Sequence, residues 1–155
     1  MEGAQGCKGM KLVMDTNVVL VAMIKPKGLA ALLVDLLDKE QFINYASQEA
    51  LEEVQIKIAL LEGEEKLSEN WLQVLANFLY GTEIIEPKEH FNLCRDEDDN
   101  KWLDIAYEAK AHMILTWDDD LLSLRDDEKT LQLKDHKVKI LKPIEFLKEE
   151  LINMC

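Results

Sequence analysis

The sequence predicts an α/β domain, a three-layer α/β/α arrangement around a central parallel sheet of about five strands. Two observations predict it. Short apolar runs without polar alternation, residues 12–14 and 113–115 among them, have the character of strands covered on both faces. Segments with helical apolar spacing separate these runs in the order β-α-β-α-α-β-α-β-α-β-α, and such alternation implies parallel crossovers. With 155 residues and no linker, repeat or low-complexity tract, one domain fills the chain: residues 1–10 form a flexible N-terminal segment and 11–155 the domain.

Each element has a local reason. The first strand, 12–14, ends at Asp15, and Lys25, Pro26, Lys27 and Gly28 form a loop. Leu29, Leu32, Leu33, Leu36 and Leu37 follow the i, i+3, i+4, i+7 rule of an amphipathic helix. Residues 42–46 form the second strand. Ser47 then caps a helix whose apolar face is Leu51, Val54, Ile58 and Leu61, broken at 62–65. From about Ser68, Trp71, Val74, Leu75, Phe78 and Leu79 make another stripe, closed by Gly81 in the position after a helix that favours glycine. Its large apolar residues exceed what a small core needs and suggest self-association. A strand at 82–85 ends before Pro87, and 100–111 is helical with Leu103, Ala106 and Tyr107 inward. Strands at 112–116 and 138–141 follow, with a short helix at Leu121 and Leu122 between them. Pro143 opens the last helix, whose face is Ile144, Leu147, Leu151 and Ile152.

Composition narrows the function. No run approaches the roughly 18 apolar residues of a membrane span, and residues 1–6 have neither the basic nor the apolar part of a signal peptide. Cys7, Cys94 and Cys155 are too far apart for a zinc or redox pair, so a reduced, cytoplasmic setting is expected. The net charge of −13 argues against nucleic-acid binding, but clustered acids that hold metal ions would account for part of it. Lys25, Lys27 and six lysines in the last 30 residues supply local positive charge, or simply a solvated face.

Four acid clusters carry the chemistry. Asp15 follows the first strand, where an aspartate either opens a turn or, at the carboxyl end of a parallel strand, lines a ligand site. Asp118, Asp119 and Asp120 follow the fourth strand. Asp96, Asp98 and Asp99 precede the helix at 100, where one acid suffices to cap it and three repel one another. Glu49, Glu52 and Glu53 lie in the first turns after Ser47; Glu53 flanks the inward face, a weak preference. Acids gathered at strand ends make a site for a hard divalent cation. Competing chemistries find little support: there is no glycine-rich phosphate loop and no GxSxG elbow, and His90, His112 and His136 are isolated. A phospho-aspartyl transfer site would want an acid where Asn17 stands.

Five motifs in order resemble the PIN-domain ribonuclease family, most closely the VapC-like branch of toxin components of toxin–antitoxin pairs. They are D-T-N-V (Asp15, Thr16, Asn17, Val18), a serine opening a helix with a glutamate six residues on (Ser47, Glu53), R-D-x-x-D-x-K-x-L (Arg95 to Leu103), T-G-D-x-D-L-L (Thr116 to Leu122) and P-x-x-F-L (Pro143 to Leu147). The match runs from about Lys11 to Leu147. The resemblance implies a PIN-like fold and hydrolysis of RNA phosphodiesters with Mg²⁺ or Mn²⁺. It implies Asp15, Glu53, Asp99 and Asp118 as the catalytic, metal-binding acids, Asp96 and Asp120 as auxiliary, and Asn17 and Thr116 as supports. An antitoxin protein and a homodimer are the implied partners. Trp117 departs from the pattern by standing where the family usually has glycine, so it either narrows the cleft or stacks on a base, with Lys25 and Lys27 as further candidates to touch RNA. A catalytically weak PIN-like RNA-binding or protein-interaction module is the alternative.

Overall fold

The first described strand lies inside the sheet. The computed structural model describes residues 9–152, and its first strand, β1 (Met10–Met14), is followed by α1 (Thr16–Ile24), α2 (Leu29–Asp38) and β2 (Phe42–Ala46). Next come α3 (Gln48–Gly63), α4 (Trp71–Tyr80) and β3 (Thr82–Ile84). A 3₁₀ turn (Glu97–Asp99) enters α5 (Asn100–Ala109), which leads to β4 (Met113–Leu115) and α6 (Asp119–Leu122). The hairpin β5 (Thr130–Leu133) and β6 (His136–Leu141) precedes α7 (Pro143–Glu145), which continues as wider turns over Phe146–Leu151. The flexible segment expected at the N-terminus lies, for residues 1–8, outside the described residues; Met10 already belongs to β1 and is buried.

The sheet has six strands in the order β3-β2-β1-β4-β6-β5. All pair in parallel except β5, which is antiparallel to β6. The chain winds outward from β1 to β2 and β3, then crosses back to lay β4 on the other side of β1. That reversal opens a crevice at the carboxyl ends of β1 and β4, the usual place for a ligand in such sheets.

Both faces of the sheet are covered, which explains the missing alternation in the strands. Leu12 and Met14 join one core with α1, α2, α4 and Phe146, whereas Val13, Ile114 and Ile140 join another with Trp102, Leu103, Ile105 and Ala106 of α5. Helix α1 was not legible because Val18, Val19, Leu20, Ala22 and Met23 are all buried, leaving no polar face to set a period. Strand β5 was missed because it is a four-residue edge whose turn, at Lys134 and Asp135, sits among charges; Lys134 adopts φ 53° there.

Three local expectations change. The stripe on α4 is core rather than surplus: Val74 and Phe78 are buried, Trp71 and Leu75 pack against them, and Leu79 is exposed. Gly81 has an ordinary φ of −90°; glycine is needed because a Cβ would lie 2.6 Å from the Leu37 Cβ. In the last segment Phe146, not Ile144 or Ile152, fills the core, meeting Phe42 edge-on with ring centroids 5.5 Å apart. Among the described residues no single helix is long and apolar enough to cross a membrane.

Candidate metal centre

The strand ladder places the first two site residues side by side. The Asp15 N–H donates to the Leu115 carbonyl at 3.0 Å and the Thr116 N–H to the Leu141 carbonyl at 3.0 Å, so both residues extend the strands into the crevice. Buried Asn44 fixes the end of β1: its Oδ1 accepts from the Met14 N–H at 2.8 Å, and its Nδ2 donates to Thr82 Oγ1 at 3.1 Å.

Capping then aims the carboxylates. Asp15 caps α1 by accepting from the Asn17 N–H, and its other oxygen accepts from the Thr116 hydroxyl at 2.7 Å. Thr116 Oγ1 accepts from the Asp118 N–H at 2.9 Å, and Asp118 caps α6 through the Asp120 N–H at 2.8 Å. Asp96 likewise accepts from the Asp98 N–H at 3.0 Å. One oxygen of each acid is thus anchored to backbone, and capping and a role in the cleft are compatible.

These anchors bring the acids into mutual repulsion. Asp15 is only 5% exposed, and burial raises its carboxyl above the usual range, against the lowering by Thr116 and Asn17, with Asp118 and Glu53 adding to the rise. The Asp99 carboxyl is pushed up to about 7, first by burial, then by a hydrogen bond to and the charge of Asp118, then by Asp96 and Asp15. Asp96, Asp99 and Asp120 each offer an oxygen within 4.8 Å of the others, a group able to hold a metal ion. Only hard oxygen donors line it, which suits Mg²⁺ or Mn²⁺ rather than a thiophilic metal. Burial and the neighbouring Asp99, Asp118, Asp120 and Asp96 push the Cys94 thiol up to about 12, so it supplies no thiolate.

Glu53 approaches from α3. Of the three glutamates there, Glu49 and Glu52 are exposed, while Glu53 is half-buried. Its Oε1 lies 2.5 Å from Lys101 Nζ and its Oε2 3.6 Å from Lys57 Nζ. Burial opposes its ionisation, but Lys101, Thr16 and Lys57 outweigh it and hold the carboxyl below the ordinary range. The buried Thr16 hydroxyl lies near Glu53 outside hydrogen-bond geometry and has no partner.

Several contributors were not foreseen. Arg95, 87% exposed, reaches Asp120 at 2.8 Å. His90 is not isolated: its two ring nitrogens meet Asp104 and Glu97 at 2.8 Å each, which raises its pKa. Asn100 accepts from the N–H groups of Leu93 and Cys94. Together they strap the loop carrying Arg95 and Asp96 to the start of α5. The signal available was a polar residue, Asn100 or Lys101, on the buried side of a helix. Trp117, 40% exposed, sits beside Asp118, and Asn17 is exposed in the first turn of α1. Lys25 caps the far end of α1, about 15 Å from Asp15 at 1.5 Å per residue, and Lys27 beyond it lines a separate groove with Asn70 and Asn77.

Comparison with known proteins places this arrangement. The PIN domain profile matches residues 11–120. The chain belongs to the PIN-domain family. A relative by sequence is an uncharacterized protein of Methanocaldococcus jannaschii, 42% identical over 142 residues, which span 90% of this chain and 91% of that protein. Among solved structures, VapBC2 from Rickettsia felis, bound to a DNA fragment from its promoter, is similar over 70% of this chain and 89% of that one, with 19% identity and a TM-score of 0.46. The PIN-domain match covers all four acid clusters.

Proposed function

We propose that the protein is a Mg²⁺- or Mn²⁺-dependent endoribonuclease of the cytoplasm that hydrolyses RNA phosphodiester bonds, as the toxin component of a toxin–antitoxin pair. The observation that carries this reading is the convergence of Asp15, Asp96, Asp99, Asp118 and Asp120 on one crevice at the switch point of the sheet, with Asp99 pushed up to about 7 by its neighbours. Such a crevice resists full ionisation until a cation enters.

Of the expected set Asp15, Glu53, Asp99 and Asp118, we assign the ion to Asp99 and Asp118 together with Asp96 and Asp120, with buried Asp15 behind them and Glu53 engaged by Lys101. A bound divalent ion supplies Lewis-acid stabilisation of the phosphate and a water of lowered pKa. The protein's residues do the rest. Thr116 fixes one Asp15 oxygen and the Asp118 backbone, so both carboxylates keep their aim. Trp117 offers an exposed ring on which a base of single-stranded RNA can stack. Leu32 on α2 and Leu72 and Leu79 on α4 are exposed apolar residues, and we assign the homodimer contact to these helices.

Thermal melting with and without Mn²⁺, paired with cleavage of unstructured RNA, tests the proposal. At a hundredfold excess over the dissociation constant, binding to the native state alone adds about 2.7 kcal/mol. Asp15→Asn keeps the fold but loses both the melting shift and cleavage. Wild-type protein showing neither would refute the reading. A melting shift without cleavage on any RNA would favour the second reading, a binding module, which the existing pairing of acids with Lys101 and Arg95 supports.

A further inference from the structure

The least exposed cation of the cleft is Lys101. It is 7% exposed, in the first turn of α5, and faces the acids rather than solvent. Its ammonium lies 2.5 Å from Glu53 Oε1 and 3.0 Å from Asp98 Oδ2, and donates to the Asp98 carbonyl at 3.1 Å. Three oxygen acceptors saturate the three donors of an ammonium. Oxygens from two carboxylates and a carbonyl are also the ligands a hard divalent ion takes. The unpartnered Thr16 hydroxyl beside Glu53 is a further oxygen at the same place.

The cleft therefore holds two sets of oxygens around Asp15. On one side stand Asp96, Asp99 and Asp120 with Asp118, crowded by like charge. On the other stand Glu53 and Asp98, already neutralised by Lys101. Asp15, buried and held by the Thr116 hydroxyl, lies at the strand end behind them.

We propose that the Lys101 ammonium takes the place of a second cation, so that the cleft binds one divalent ion where its acids alone would hold two. Lys101 is a positioning residue: it acts through Glu53, holding that carboxylate off the ion and against α5. The inference rests on the metal-dependent reading of the cleft and sets its stoichiometry. A protein-borne charge at this place is present at any ion concentration, so occupancy follows a single binding step.

Ion counting decides it. Mn²⁺ binding to the full chain is measured by equilibrium dialysis and by calorimetry for wild type, Lys101→Met and Lys101→Met/Glu53→Gln. Wild type binds one ion. Lys101→Met frees Glu53 and Asp98, melts lower in chelator, and binds two. The double variant, which lacks both partners of the buried pair, keeps its fold and returns to one. If Lys101→Met folds only with metal, it is refolded in Mn²⁺ and dialysed for counting. Lys101→Arg, which keeps the charge, stays at one. Two ions on wild type, or one on Lys101→Met, would overturn the role of Lys101 while leaving the metal site standing. No ion on wild type would instead overturn the metal-dependent reading beneath it.

Discussion

Asp99→Asn separates a functional acid from a capping one. Asp99 precedes α5 but makes no side-chain capping bond, so the amide loses nothing there. Its carboxyl is pushed from 3.8 up to about 7 by burial, by Asp118, and by Asp96 and Asp15. A native-state value above the unfolded one means that the native protein binds more protons between about pH 4 and 7, so stability is lost as pH rises through that window. The full displacement is equivalent to about 4 kcal/mol at 1.36 kcal/mol per pH unit, and solvent at the mouth of the cleft screens this to about 1–2 kcal/mol. Asn removes the ionisation and can still donate to Asp118. In chelator at pH 8 the variant should therefore melt higher than wild type, by about 2–8 °C at the 2–4 °C per kcal/mol of a domain this size. At pH 3, below both values, the two should coincide. Mn²⁺ should raise wild type and leave Asp99→Asn almost unmoved. The assay is differential scanning calorimetry across pH with and without Mn²⁺. An Asp99→Asn protein that melts lower at pH 8 in chelator would show that Asp99 stabilises the fold as an anion, and the argument from repulsion would fail.

Two further outcomes follow from packing. Gly81→Ala places a Cβ 2.6 Å from Leu37 Cβ and 3.0 Å from its carbonyl oxygen; forcing α2 and the β3 turn apart should cost about 1–3 kcal/mol in urea unfolding, and a neutral result would show that the contact relaxes freely. Trp117→Ala should leave the melting temperature within the range of surface changes, about 0.5 kcal/mol, while weakening single-stranded RNA binding by about 1–3 kcal/mol for one lost base stack; tighter binding would mean that the ring obstructs the cleft.

The parts of the site legible in the sequence were those that follow a strand. Asp15, Thr116 and Asp118 come directly after runs buried on both faces, and the surplus of acids at 96–99 exceeded what capping requires. Sequence left capping and site membership as rival explanations for these aspartates, yet Asp96 and Asp118 each cap through one oxygen, and Asp15 caps through one while Thr116 holds the other. What stayed hidden depends on burial. Lys101 occupies a helical position where a lysine ordinarily reaches solvent, and only the docking of α3 beside α5 encloses it. Asn44 was readable in principle, as the one polar side chain in a strand covered on both faces, but its bonds to Met14 and Thr82 arise from the meeting of three strands. Helix α1 lacked a period, and the loop strapped by His90 lacks regular structure altogether.

The pairing of Asp15 with Thr116 joins residues 101 positions apart in the chain. Strand β1 leaves the ribosome before its neighbour β4, which emerges only after some hundred further residues. Contacts of such separation close slowly, because chain entropy must be surrendered before they form. Until β4 docks, Asp15 lacks the hydroxyl that holds it and the acids of α5 and α6 have no common cleft. A nascent or truncated chain therefore carries every acid up to its last residue yet no crevice that gathers them. Competence arrives in one late step, when the centre of the sheet is completed.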